Sequence, residues 1–125
     1  LGNDRYFLYN YAAELNVARF YKESLDIAMK CRHLWSDYDL EMLIAQNCWE
    51  INRMVEAEEH FRLASDMCPN RFMPLYRLVW LLDRQGRQTE ARELATIIIS
   101  KPVKIPSVII ERIKSEMENY LTLKI

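Results

Sequence analysis

Along this chain apolar residues recur at steps of three and four with polar residues between them, the spacing that lines up one face of an α-helix. The pattern predicts helices over about Arg5 to Val17, Tyr21 to His33, Asp39 to Ile51, Val55 to Met67, Pro74 to Gln85 and Thr89 to Ser100, and a last one that Ser107 caps and that runs to about Leu121. The breaks carry their own chemistry. Ser36 or Asp37 offers a side-chain oxygen to the start of the third helix, and Pro69 with Asn70 stops the fourth. Gly86 relieves the turn between the fifth and sixth. Two prolines hold the KPVKIP loop extended. In the last helix Ile109, Ile110, Ile113, Met117, Tyr120 and Leu121 form one stripe, while Glu111, Arg112, Lys114, Glu116 and Glu118 cover the other side. A helix of that kind covers the open end of a stack, and Ile97 to Ile99 are the surface it is expected to hide.

The helical segments repeat. FYKESLDIAMKC, MVEAEEHFRLASD and QTEARELATIIIS stack so that Glu23-Ser24, Glu56-Ala57 and Glu90-Ala91 coincide, at spacings of 57 − 24 = 33 and 91 − 57 = 34 residues. The same offsets align Tyr11, Ile44 and Leu78; Ala12, Ala45 and Val79; Leu15, Cys48 and Leu82; Ala28, Phe61 and Ala95; and Cys31, Ala64 and Ile98. Every column is small or apolar, so each copy is a pair of helices whose shared face is buried only when copies stack.

This set resembles the tetratricopeptide (TPR) repeat family over roughly Arg5 to Lys104. The third copy matches the family pattern at Leu75, Leu78, Leu82, Gly86 and Ala91, the second at Ile44, Ala45, Ala57, Phe61, Ala64 and Pro69. The first copy departs from it: Ser24 replaces Ala, Ala28 the aromatic, Cys31 the last Ala and Arg19 the turn Gly. Glu41 also stands where the second copy is expected to carry a bulky apolar group. The resemblance implies an all-α fold of three TPR-like helix-turn-helix repeats, over about 5–37, 38–71 and 72–104, curved into a right-handed superhelix. A capping helix over 105–125 completes it, after a linker remnant at 1–4. The chain opens at Leu1 rather than Met, so a piece of a longer protein is expected.

The same resemblance implies a concave groove lined by the first helix of each repeat. Carried onto this sequence, its positions are Tyr6, Tyr9, Ala13, Asn16 and Val17 in the first copy; Asp39, Met42, Gln46, Trp49 and Glu50 in the second; and Met73, Tyr76, Trp80, Asp83 and Arg84 in the third. Aromatics and Met are the side chains that anchor interfaces. The alternative for each aromatic, Trp80 above all, is packing on a neighbouring or flanking helix. TPRs that clamp an acidic chaperone tail carry Lys and Asn where Tyr9 and Ala13 stand, so that clamp is lacking. The expected partner is a protein or peptide in the groove, or a second copy of the chain.

Composition narrows the classes. Half of the 125 residues are hydrophobic and 28% are charged, with only two Gly and four Pro, which suits helices in one globular domain. No apolar run approaches the roughly 20 residues of a membrane span, and the start LGNDRYFLYNY is no signal peptide; direct membrane insertion by this segment is not expected. The net charge of −1 divides unevenly. Up to Asn70 there are 7 Lys/Arg against 12 Asp/Glu, from Arg71 on 10 against 6, so the halves carry −5 and +4. Such halves either steer partners or are a solvated helix surface. Neither reading makes a nucleic-acid partner, which asks for a strongly basic face.

Candidate chemistry is sparse. Cys31, Cys48 and Cys68 with His33 and His60 lack the paired spacing of a zinc site, and Cys31 and Cys48 stand in apolar columns, so packing is their expected role. No nucleophile, phosphate-loop or metalloprotease motif is present, and Glu58-Glu59-His60 reads as a solvated face. We therefore expect no cofactor, no metal and no catalytic residue in this chain.

A narrower resemblance runs from Asn70 to Glu118, most clearly at the KPVKIPS loop leading into IKSEM. It is similar to the end of O-antigen ligase or polymerase-like membrane proteins of Bacteroides-type bacteria, where a multi-span glycan-transfer region precedes TPRs. It implies a soluble C-terminal domain tethered to a bacterial inner membrane through the parent protein, with any catalysis in that parent. The alternatives are a stand-alone adaptor unrelated to glycans and, less in keeping with the motifs, a small helical enzyme.

Overall fold

The computed structural model describes residues 4–123 and is all-α, with no strand among them. Its helices are α1 (Arg5–Val17), α2 (Tyr21–Leu34), α3 (Tyr38–Glu50), α4 (Met54–Met67), α5 (Met73–Arg84), α6 (Gln88–Ser100) and α7 (Val108–Leu123). Every end falls within two residues of the position expected from the pattern. Asp4, grouped with the linker on sequence grounds, is the N-cap of α1: its Oδ1 accepts from the backbone N–H of Tyr6 at 2.7 Å and of Phe7 at 3.3 Å. Asp37 caps α3, accepting from Leu40 N–H at 2.9 Å, because the Ser36 hydroxyl is committed to Glu41. Leu1 to Asn3 of the expected linker, and Lys124 and Ile125 of the expected capping segment, lie outside the described residues.

The 33- and 34-residue period is written into the backbone. Two places beyond the ends of α1, α3 and α5 stands a residue with positive φ: Arg19 at 69°, Asn52 at 64° and Gly86 at 76°. After each, the next N–H reaches back to the same repeat column, Phe20 to Leu15 O at 2.8 Å, Arg53 to Cys48 O at 2.7 Å and Arg87 to Leu82 O at 2.9 Å. The left-handed residues themselves bond to Asn16 O, Trp49 O and Asp83 O. Each hairpin thus turns through the same left-handed cap, which satisfies carbonyls the helix end would leave open.

The chain forms two compact units, one up to Cys68 and one from Pro69 on. In the first, α1 packs on α2 and α3 on α4, with α2 against α3 and a lighter contact of α1 with α3. Ala12, Ala28, Ile44, Ala45, Ala57 and Ala64 are wholly buried there and Cys48 and Phe61 nearly so, all of them repeat-column residues. The small ones let paired helices approach closely. Two column residues of α1 depart from this: Leu15 is half-buried, and Tyr11 is 44% exposed although Ile44, its counterpart on α3, is fully buried.

In the second unit α5 packs on α6 and α6 on α7. Ala91, Ala95 and Ile98 of α6 are buried, as are Ile113, Met117 and Tyr120 of α7. Burying three such side chains stabilises the docked helix by roughly 1.5–3 kcal/mol each, before the entropy of ordering is subtracted. Two details differ from the expected stripe. Ile97 is exposed, with only Ile98 of that trio fully covered, and Ile109 is 63% exposed. Ile109 lies in the first turn of α7, ahead of the turns that carry the buried Ile113, Met117 and Tyr120.

Candidate functional site

In the first unit the sequence anomalies gather into buried polar clusters. Glu41 is completely buried. Its Oε1 accepts from His60 Nδ1 at 2.6 Å, and its Oε2 from Arg32 Nε at 2.8 Å and from the Ser36 hydroxyl. Burial alone would raise this carboxyl; the hydrogen bonds from His60, Ser36 and Arg32 outweigh it and bring the group down to about 2. His60 is buried as well, which corrects the expectation of a solvated Glu58-Glu59-His60 face. With both oxygens of the fully buried Glu41 carboxylate occupied, the cluster joins α2, α3 and α4, and Arg32 carries it to the surface. A second chain of bonds runs from Asn16 Nδ2 to Asn47 Oδ1 at 2.9 Å, from Asn47 Nδ2 to Ser24 Oγ at 2.8 Å and from the Ser24 hydroxyl to Ala12 O at 2.6 Å. Among the described residues no buried side-chain nitrogen or oxygen lacks a partner.

The positions assigned to the groove in this unit meet different fates. Tyr6 is exposed, and the Arg5 guanidinium lies 4.6 Å from its ring and 4.6 Å from that of Trp35, a stacked cation between two aromatics. Tyr9 is half-buried; burial, then the Asp39 and Asp37 carboxylates, push its hydroxyl above its ordinary value. Asn16 is spent on Asn47. Met42 is buried and presents no surface to a partner. Ala13, Gln46 and Trp49 are half-buried, and Val17, Asp39 and Glu50 exposed.

In the second unit the aromatic positions of α5 face α7. Glu116 Oε2 accepts from the Tyr76 hydroxyl at 2.8 Å and from Trp80 Nε1 at 3.2 Å. One turn on, the Tyr120 hydroxyl donates to Asp83 Oδ1 at 3.0 Å, and its ring meets Trp80 edge-on at 5.3 Å and 81°. Burial and the Asp83 carboxylate raise the Tyr120 hydroxyl to about 12, and burial with Glu116 raises that of Tyr76, so both remain donors at any physiological pH. Lys114 donates to the carbonyls of Ile99 at 2.8 Å and Lys101 at 2.5 Å, closing the C-terminal end of α6. Glu116 and Lys114 therefore belong to the α7 contact, where the sequence had placed them on a solvated side. Nothing in the pattern marks them, because their partners lie 13 to 40 residues away.

One open cleft remains beside this lock. Met73 and Tyr76 of α5 form one wall and Val108, Ile109, Arg112, Ile113 and Glu116 of α7 the other, around about 260 Å³. Ile113 is its buried floor, while Val108 and Ile109 stand open at 75% and 63% exposure. Arg84, the last groove position, is exposed. The thiols are free, Cys31 and Cys48 buried and Cys68 half-buried. No three His, Cys, Asp or Glu side chains gather as metal ligands among the described residues, and no helix there is long and apolar enough to cross a membrane. No protein-family model matches the chain, and no curated protein matches it significantly.

Proposed function

We propose that this chain is a non-catalytic protein-interaction module of TPR-like helix hairpins, and that the cleft between α5 and α7 is where a partner seats. One observation carries the reading: an apolar cleft whose walls are held by the Tyr76–Glu116 and Trp80–Glu116 bonds and whose rim carries Arg112. Fixed walls spare a partner the cost of ordering them, and a guanidinium beside apolar side chains is the composition of an interface anchor. A photo-crosslinking residue in place of Ile109, in cells that make the protein, should yield a discrete protein adduct. The same residue in place of exposed Val55 is the control. Equal background from both positions removes the assignment.

The module's setting follows from the KPVKIPS resemblance: the soluble tail of an O-antigen ligase or polymerase-like membrane protein in surface-polysaccharide assembly. An antibody blot of fractionated native cells tests it. A band far heavier than 15 kDa in the inner-membrane fraction supports the tail; a soluble band near 15 kDa makes the chain a self-contained adaptor.

A further inference from the structure

The face of α1 opposite its packing side carries Phe7, Tyr11 and Glu14, spaced i, i+4 and i+7, so they form one stripe. Phe7 is 50% exposed and Tyr11 44%. Their rings lie 6.2 Å apart, and Glu14 borders two shallow depressions, one with Phe7, Asn10 and Tyr11 and one with Ala13, Val17 and Ala18. Register says this face is built to be covered, because the matching position on α3 is Ile44, fully buried in a helix that α2 and α4 both pack against. At the start of α7 the order is the same, apolar then charged: Val108 and Ile109, then Arg112 three residues after Ile109, as Glu14 follows Tyr11. Both Glu14 and Arg112 are exposed. The units that carry these stripes have opposite net charge, −5 up to Cys68 and +4 from Pro69.

We infer that the occupant of the α5–α7 cleft is α1 of a second copy of this chain. A parallel placement of α1 beside α7 seats Tyr11 on Ile109 and pairs Glu14 with Arg112. Apolar burial supplies the attraction, and the opposite unit charges speed encounter and set which face meets which. The contact is heterologous, head to tail, so a joined pair still has one free α1 face and one free cleft with which to add further copies. This rests on the cleft being a partner site and names the partner.

Sedimentation velocity of the whole chain from micromolar to millimolar concentration, at low and high salt, provides the test. Species larger than the monomer should grow with concentration and shrink as salt rises. Glu14→Arg alone and Arg112→Glu alone should each weaken association at least about tenfold, since each sets like charges against each other. An equimolar mixture of the two variants should restore it, because every junction between unlike variants then joins opposite charges. Both positions are exposed, so helicity by circular dichroism should stay unchanged. A chain monomeric throughout, association indifferent to Arg112→Glu, or a mixture no stronger than its parts would each overturn the inference. The cleft reading fails separately: a monomeric chain that still crosslinks to another protein through position 109 keeps the cleft and loses the second copy, while no adduct at all removes both.

Discussion

His60 Nδ1 lies 2.6 Å from Glu41 Oε1 inside the first unit, a hydrogen-bonded pair at a position where the repeat pattern asks for an apolar side chain. A buried carboxylate of this kind persists only because three donors hold it. Removing it leaves His60, Arg32 and Ser36 without their acceptor beside an apolar side chain. Glu41→Leu should therefore destabilise the chain by about 3–5 kcal/mol even though it restores the repeat's preference. Replacing His60 and Glu41 together by apolar residues should recover part of that loss. Chemical denaturation of the three variants at neutral pH measures both effects.

The same pair gives an acid limit. The Glu41 carboxyl sits at about 2 in the folded chain against its ordinary 4.5. Its contribution is thus fully present above about 4.5 and is lost as pH falls toward 2, a change on the order of 3 kcal/mol. Wild-type stability followed from pH 5 down to pH 2 should show this fall, and Glu41→Leu should show a shallower one.

Three hairpin turns share one backbone shape with three different residues in it, which makes a graded test. An added Cβ at Gly86 meets no atom within 4 Å, so Gly86→Ala has only the positive φ of 76° against it and should cost about 1–2 kcal/mol. Arg19→Gly, at 69°, should run the other way and stabilise by up to about 1 kcal/mol. Asn52→Gly should change least, since Asn tolerates this region. Thermal midpoints of the single variants order the three.

Thiol reactivity should separate the cysteines. Burial raises the Cys31 thiol and raises that of Cys48 to about 11, and Cys31 Sγ also donates to Arg5 O at 3.3 Å. Since the thiolate is the reacting species, neither should label in the native state. A neutral-pH titration with a thiol reagent should show one fast equivalent, removed by Cys68→Ser, and two more that appear only on unfolding.

What the sequence by itself determined was the helices, their pairing and the all-α class. Those follow from local periods and caps: columns three and four apart, Asp37 before a helix, Gly86 after one. The repeat frame also placed Tyr76 and Trp80 on a common face of α5. Tertiary structure alone decided what that face meets. Glu116 belongs to a polar run that looks solvated, and its role comes from donors 36 and 40 residues earlier. Ser24 and Glu41 read as lapses from a pattern, yet they anchor the buried bonds to Asn47 and His60, because a polar group in a core is judged by partners that only folding brings to it.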